Sequence, residues 1–198
     1  RKYELILETG GYIMILYHGS NVVIKNPIST KGRSDVDFGS GFYLTADKNM
    51  ARKWASNKNQ SIVNVYEVNL SMLKVKQLHA DDEWLDYVIY NRTNVGKKPF
   101  NDSNYDVIVG PTADDKLFAT IDLYSDGIIS KEQTIHVVNC MKYSEQIVFK
   151  NDLAIRKALM FIESKELKGL EKQNLQQQVI EERKTASQRA NQLIRERR

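Results

Sequence analysis

From Leu170 to Arg198 the chain holds no aromatic residue, no glycine and no proline, while Glu, Gln, Lys and Arg dominate it. Such a run favours helix by propensity but carries too little apolar surface to build a core, so the fold must come from what precedes it. Leu170, Ile180 and Ile194 are too sparse for a sustained heptad seam, because Gln173, Gln177, Lys184, Ser187 and Asn191 fill intervening sites. Residues 166–198 therefore read as a charged helical tail, solvated and partly docked on its own domain or on a partner. Its end, Arg195, Glu196, Arg197 and Arg198, implies weak affinity for polyanions and nothing more specific. At the other end, residues 1–13 read as an extension, foreign or leftover, and Met14 opens a domain spanning 14–165.

Within that domain the pattern is α+β, with short strands in place of regular βαβ repeats. "YIMILYHGS" is a strand of β-branched and aromatic residues ended by Gly19-Ser20. Asn26 to Gly41 is rich in turn residues and predicts a loop of about fifteen residues, a length that is usually functional or mobile. "GFYLT" is a short strand, and Asp47 caps a helix with Met50, Ala51, Trp54 and Ala55 on one face. "SIVNVYEVNL" alternates as a strand, "DDEWLDYVIYNRT" is a helix with acidic residues in its first turn, and "YDVIVG" is a buried strand ended by Gly110-Pro111. "ADDKLFATIDLY" predicts a helix, and Ser130 to Gln133 is a capping box opening another. "SEQIVFK" is a strand leading to a helical turn capped by Asn151, and "MFIESKEL" reads as a last strand.

Composition excludes several classes. Hydrophobic residues at 41% and charged residues at 27% rule out a wholly disordered chain. No apolar run approaches the ~20 residues that span a bilayer, and no basic segment followed by an apolar one marks a secretory signal, so the expectation is a cytoplasmic protein with no membrane contact. The single Cys140 excludes an internal disulfide and a cysteine-based zinc site. The three histidines, His18, His79 and His136, lie at no ligand spacing, so no metal is expected. "DFG" at Asp37 to Gly39 lacks every other kinase element, and "GSGFY" precedes a strand where a Rossmann site needs a helix.

His18 stands apart from the other histidines because it ends a buried-looking strand beside Gly19 and Ser20, where bare backbone lets a ligand approach. Tyr43, ending a strand after two glycines, is either core or a stacking platform. Glu145 shares a strand face with Ile147 and Phe149, while Gln146, Val148 and Lys150 take the other. A carboxylate beside Ile147 and Phe149 must be exposed, paired or functional. Arg33, alone between glycines in the long loop, suits phosphate oxygens; its other reading is a solvated arginine paired with Asp35 or Asp37.

Together "LYHGS", "GSGFYLTADKNMARKWA" and "SEQIVFK" resemble, in order, the three motifs of the His–Tyr–Glu branch of the ADP-ribosyltransferase superfamily, which includes diphtheria toxin and the poly(ADP-ribose) polymerases. The closer resemblance, through "LYHGS", the loop leading to "DFGSGFY" and "YDVIVGPTAD", is to a bacterial family of that superfamily long without an assigned function. The resemblance covers residues 14 to 165.

That resemblance implies two small, mostly antiparallel sheets around an NAD cleft, a C-terminal helix outside them, and mono-ADP-ribosyl transfer from NAD to a macromolecule. It implies that His18 bonds a ribose hydroxyl of the adenosine half, that Gly19 offers its backbone to the nicotinamide carboxamide with Ser20 as a further cofactor-binding residue, and that Tyr43 stacks on the nicotinamide ring. Glu145 would hold the 2′-hydroxyl of the nicotinamide ribose, with Arg33 on the pyrophosphate. A fixed carboxylate there stabilises the positive charge that grows as the glycosidic bond lengthens. The adjacent Gln146 is the alternative for that position. Tyr143 stands where arginine-specific relatives carry Glu, so that acceptor is not supported. The expected partners are NAD, a protein or nucleic-acid acceptor and, for a toxin or effector, a neutralising protein. The competing readings are a non-catalytic NAD or ADP-ribose binding module that recruits a partner through the tail, and an RNA-directed protein using the tail's cations.

Overall fold

A computed structural model describes residues 13–113, 118–141 and 143–196. The expectations for residues 1–12, for Asp114 to Leu117 and for Arg197 and Arg198 lie outside the described residues. The architecture is α+β, built on two mostly antiparallel open sheets. The three-stranded sheet has the order β1 (Ile13–Ser20), β3 (Ile62–Asn69), β7 (Leu159–Glu166) and is antiparallel throughout. The four-stranded sheet has the order β2 (Phe42–Leu44), β6 (Glu145–Phe149), β5 (Val107–Pro111), β4 (Val75–Gln77), with only the β4–β5 pair parallel. The strand expected in "MFIESKEL" is present as β7. β4 lay in a stretch with no predicted element.

Helix starts follow their caps. Asp47 accepts the N–H groups of Asn49 and Met50 at the start of α1 (Lys48–Ser56), and Asp81 accepts that of Trp84 at α2 (Asp82–Thr93). After α3 (Phe118–Ser125), the reciprocal capping box of Ser130 and Gln133 opens α4 (Lys131–Cys140), and Asn151 caps α5 (Asp152–Ala158). Each cap satisfies backbone donors that the first helical turn leaves unpaired.

The alternation of β2, β5 and β6 divides the core in two. Phe42, Leu44, Val107, Val109, Ile147 and Phe149 face the first sheet, meeting Leu16, Tyr66 and Val68. Ile108 and Val148 face the opposite way, against Trp84, Leu85 and Val88 of α2, with Phe38, Ile121 and Val138. Burying side chains of this size contributes ~1.5–3 kcal/mol each.

The last helix, α6 (Gly169–Glu196), is more firmly docked than its composition suggests. Leu170 and Ile180, two of the three apolar residues that stand out in its sequence, are exposed. The buried stripe is Leu175, Val179, Ala186, Ala190, Leu193 and Ile194. Leu175 packs with Ala51, Ala55 and Val63, and Leu193 with Ile129 and Val137. Among the described residues no helix is long and apolar enough to cross a membrane.

Candidate functional site

A backbone bridge links the two packed sheets. Tyr17 and Thr45 exchange backbone hydrogen bonds of 2.8 and 3.0 Å, tying the end of β1 to the end of β2. This bridge holds His18 next to the Tyr43 backbone. The Nδ1–H of His18 donates to the Tyr43 carbonyl at 2.6 Å, and its ring lies 4.6 Å from that of Phe42. A carbonyl only accepts, so the proton is on Nδ1 and Nε2 is left as an acceptor. Desolvation pushes the His18 pKa down to about 4, which keeps the imidazole neutral near pH 7.

Gly19 is required by packing. A Cβ there would lie 2.2 Å from the Ala51 carbonyl oxygen and 2.7 Å from the Ala55 nitrogen, so α1 rests directly on the strand. Ser20 is turned inward, its hydroxyl donating to the Val22 carbonyl at 2.6 Å. The following segment is pinned by buried Asn64, opposite His18 in the register, which accepts from Ile24 N–H and donates to the Val22 carbonyl.

Tyr43 projects from the other face of its sheet. Its hydroxyl donates to the Gly39 carbonyl at 2.6 Å and accepts from Phe38 N–H at 3.1 Å. Desolvation, together with the nearby Asp37 carboxylate, raises its pKa far above the ordinary value, so it remains a neutral phenol. The Tyr43 ring packs at the edge of the second core cluster while its hydroxyl anchors the long loop. Gly39 adopts φ +65°, the left-handed region where glycine is favoured.

His18, Gly19, Ser20, Arg33 and Tyr43 all line one cavity of about 1240 Å³. Glu145 is not among its lining residues; Gln146 is. The face assignment by alternation holds, since Glu145 does share the side of Ile147 and Phe149. The cavity, however, opens on the other side, because Tyr43 pairs with Val148 and brings the Gln146 face to the cleft. Glu145 instead accepts from Gln77 Nε2 at 3.2 Å at the start of its strand.

Gln146 sits on a polar cluster whose hub is the buried Asp37. One oxygen of Asp37 accepts from Arg92 Nε at 2.9 Å and Nη2 at 2.6 Å. The other accepts from Ala113 N–H at 2.7 Å and Gln146 Nε2 at 3.0 Å. The Gln146 amide group also donates to the Pro111 carbonyl at 3.4 Å, so its nitrogen is committed and its oxygen is the atom left for a ligand. A glutamate at 146 would set a second carboxylate against Asp37, and two such groups resist joint ionisation. The amide is the partner that Asp37 accommodates. Asp37 was visible in the sequence as the first residue of "DFG" and as one alternative partner of Arg33, and nothing there announces Arg92 as its partner.

Arg33 pairs with Asp35 at 3.3 Å, and both side chains are exposed. Such a pair contributes ~0–1 kcal/mol, so a ligand phosphate can take the guanidinium. From α6 the cavity lining includes Arg183, and Lys53 of α1 is fixed by Glu182 of α6 at 2.6 and 2.7 Å. No group of three or more His, Cys, Asp or Glu among the described residues is placed to hold a metal ion.

Two open, mostly antiparallel sheets meeting at a polar cleft define the class of fold. A family model described as "Protein of unknown function (DUF3990)" matches residues 14–161, about three quarters of the chain, and the protein belongs to that family. No curated protein and no solved structure matches it.

Proposed function

We propose that this protein is a mono-ADP-ribosyltransferase that uses NAD as substrate, with Gln146 in the position the motif resemblance gave to Glu145. The observation that carries the reading is the convergence of His18, Tyr43 and Gln146, from three strands in two sheets, on one cavity. The cavity has room for a dinucleotide and for part of an acceptor, being larger than the ~300–1,000 Å³ of ordinary small-molecule pockets.

In this reading the neutral His18 accepts a hydrogen bond from a ribose hydroxyl at Nε2. The exposed edge of the Tyr43 ring meets the nicotinamide, and Arg33 exchanges Asp35 for the pyrophosphate. The Gln146 oxygen accepts from the nicotinamide ribose. Donation from the Gln146 N–H to Asp37 polarises the amide and strengthens its oxygen as an acceptor. That oxygen stabilises charge growing on the sugar less than a full carboxylate would, so slow turnover is expected.

The same amide favours a second reading, a non-catalytic NAD or ADP-ribose binding module. The docked α6 weakens the idea that such a module recruits a partner through a free tail.

Calorimetric NAD binding and nicotinamide release by Gln146→Ala and Glu145→Ala test both readings. The transferase reading expects Gln146→Ala to slow release by on the order of 10², with Glu145→Ala close to the unaltered protein. The reverse ranking overturns the assignment of Gln146. NAD binding without release by the unaltered protein favours the binding module.

A further inference from the structure

The same cavity has a charge that NAD alone does not account for. Seven lysines and arginines line it among the described residues, against the single carboxylate of Asp37. The whole chain has a net charge of only +4, so positive charge is concentrated here and the remaining surface is close to neutral or acidic. Within the cavity Arg92 is committed to Asp37 and Lys53 to Glu182, while Arg33 suffices for a pyrophosphate. Lys25, Lys31 and Lys58 are exposed on the rim and carry no ion pair among the described residues. Arg183 of α6, beyond the end of the family match at residue 161, lines the same cavity. Trp54, half-buried on α1, lines the same cavity and offers it an aromatic surface.

We infer that the acceptor is a single-stranded nucleic acid, its phosphates held by Lys25, Lys31 and Lys58 and a base resting against Trp54. This rests on the transferase reading above. Spaced cations beside an aromatic platform are the features that bind single strands without base pairing. A duplex cannot bring a base to the floor near Tyr43 without extruding it, whereas a single strand enters the cleft directly. In the transfer, the bond from C1′ to the nicotinamide nitrogen breaks and its electron pair goes to the ring, which leaves neutral. A lone pair on a nitrogen or oxygen of the nucleic acid forms the new bond to C1′, and the proton displaced from that atom goes to water.

The test uses the full chain with fluorescein-labelled single strands of RNA and of DNA, each about a dozen nucleotides long, in two assays. In the binding assay, three rim contacts predict a slope of log affinity on log salt of about −2, so raising salt from 50 to 200 mM weakens binding roughly twenty-fold. Lys25→Ala/Lys31→Ala reduces that loss to about threefold. Binding also quenches tryptophan emission through Trp54, because Trp84, the other tryptophan, is fully buried. In the transfer assay, adenylate-labelled NAD leaves label on the RNA strand, the DNA strand or both, and the labelled arm identifies the acceptor. Two results overturn the inference while the transferase reading stands: no salt-dependent binding of either strand, or nicotinamide release with label only on protein. Failure to release nicotinamide under any condition overturns the transferase reading itself, and the acceptor assignment with it.

Discussion

Replacing Asp37 with asparagine changes almost no volume and removes one charge, so its effect isolates the polar cluster beneath the cleft. Four donors converge on two oxygens: Nε and Nη2 of Arg92 on one, Ala113 N–H and Gln146 Nε2 on the other. Asparagine offers one oxygen and one NH2 group. Whichever way it turns, two of the four donors face another donor, and Arg92 loses its counterion. The Arg92 and Asp37 side chains are only 17% and 11% exposed, so water compensates little. Breaking a buried pair on one side costs about 3–5 kcal/mol, and a shift of about 2–4 °C per kcal/mol for a chain of this size lowers Tm by roughly 6–20 °C. Urea unfolding followed by circular dichroism measures the loss directly, with an unchanged m value expected. A loss below ~1 kcal/mol would refute the claim that Asp37 organises the site.

Three other outcomes are expected. Leu175→Ala should cost about 2–5 kcal/mol and Ile180→Ala, at an exposed position, under ~0.5 kcal/mol; removal of 169–198 should markedly lower the unfolding midpoint, and an unchanged midpoint would make α6 an independent tail after all. His18 holds its proton less tightly folded, at about 4, than unfolded, at 6.5, so its contribution is intact above pH 6.5 and declines as pH falls to about 4; His18→Gln should flatten that part of the stability profile, on the order of 1–3 kcal/mol, and an identical profile would count against the buried neutral ring. Tyr43→Phe should lose stability by ~1–3 kcal/mol, since the Phe38 N–H and Gly39 carbonyl both lose their partner, yet bind NAD better than Tyr43→Ala; equal NAD affinities in the two variants would remove the ring from the binding site.

Signals carried by neighbouring residues were legible in the sequence. Asp47, Ser130 with Gln133, and Asn151 each cap the helix expected of them, because a cap acts within three residues. β4 was not legible: it is three residues long and exists through parallel pairing with β5, more than thirty residues away in the chain. The parity of Glu145 and Gln146 could be read from alternation, but the face that opens on a cavity is decided by pairing with β2. Asp37 and Arg92 are 55 residues apart and neither sits in a pattern that announces the other. In α6 the eye falls on Leu170 and Ile180, whereas burial selects Leu175, Val179, Leu193 and the small Ala186 and Ala190, whose role depends on the close approach of other elements.

The most direct measurement follows adenylate-labelled NAD and nicotinamide together, in one reaction with the full chain and the single-stranded acceptors. Nicotinamide release matched by an equal amount of label covalently attached to the acceptor is expected, with both slowed by on the order of 10² in Gln146→Ala. Release matched only by free ADP-ribose would make the protein a hydrolase. NAD that is neither bound nor consumed would contradict the account at its centre.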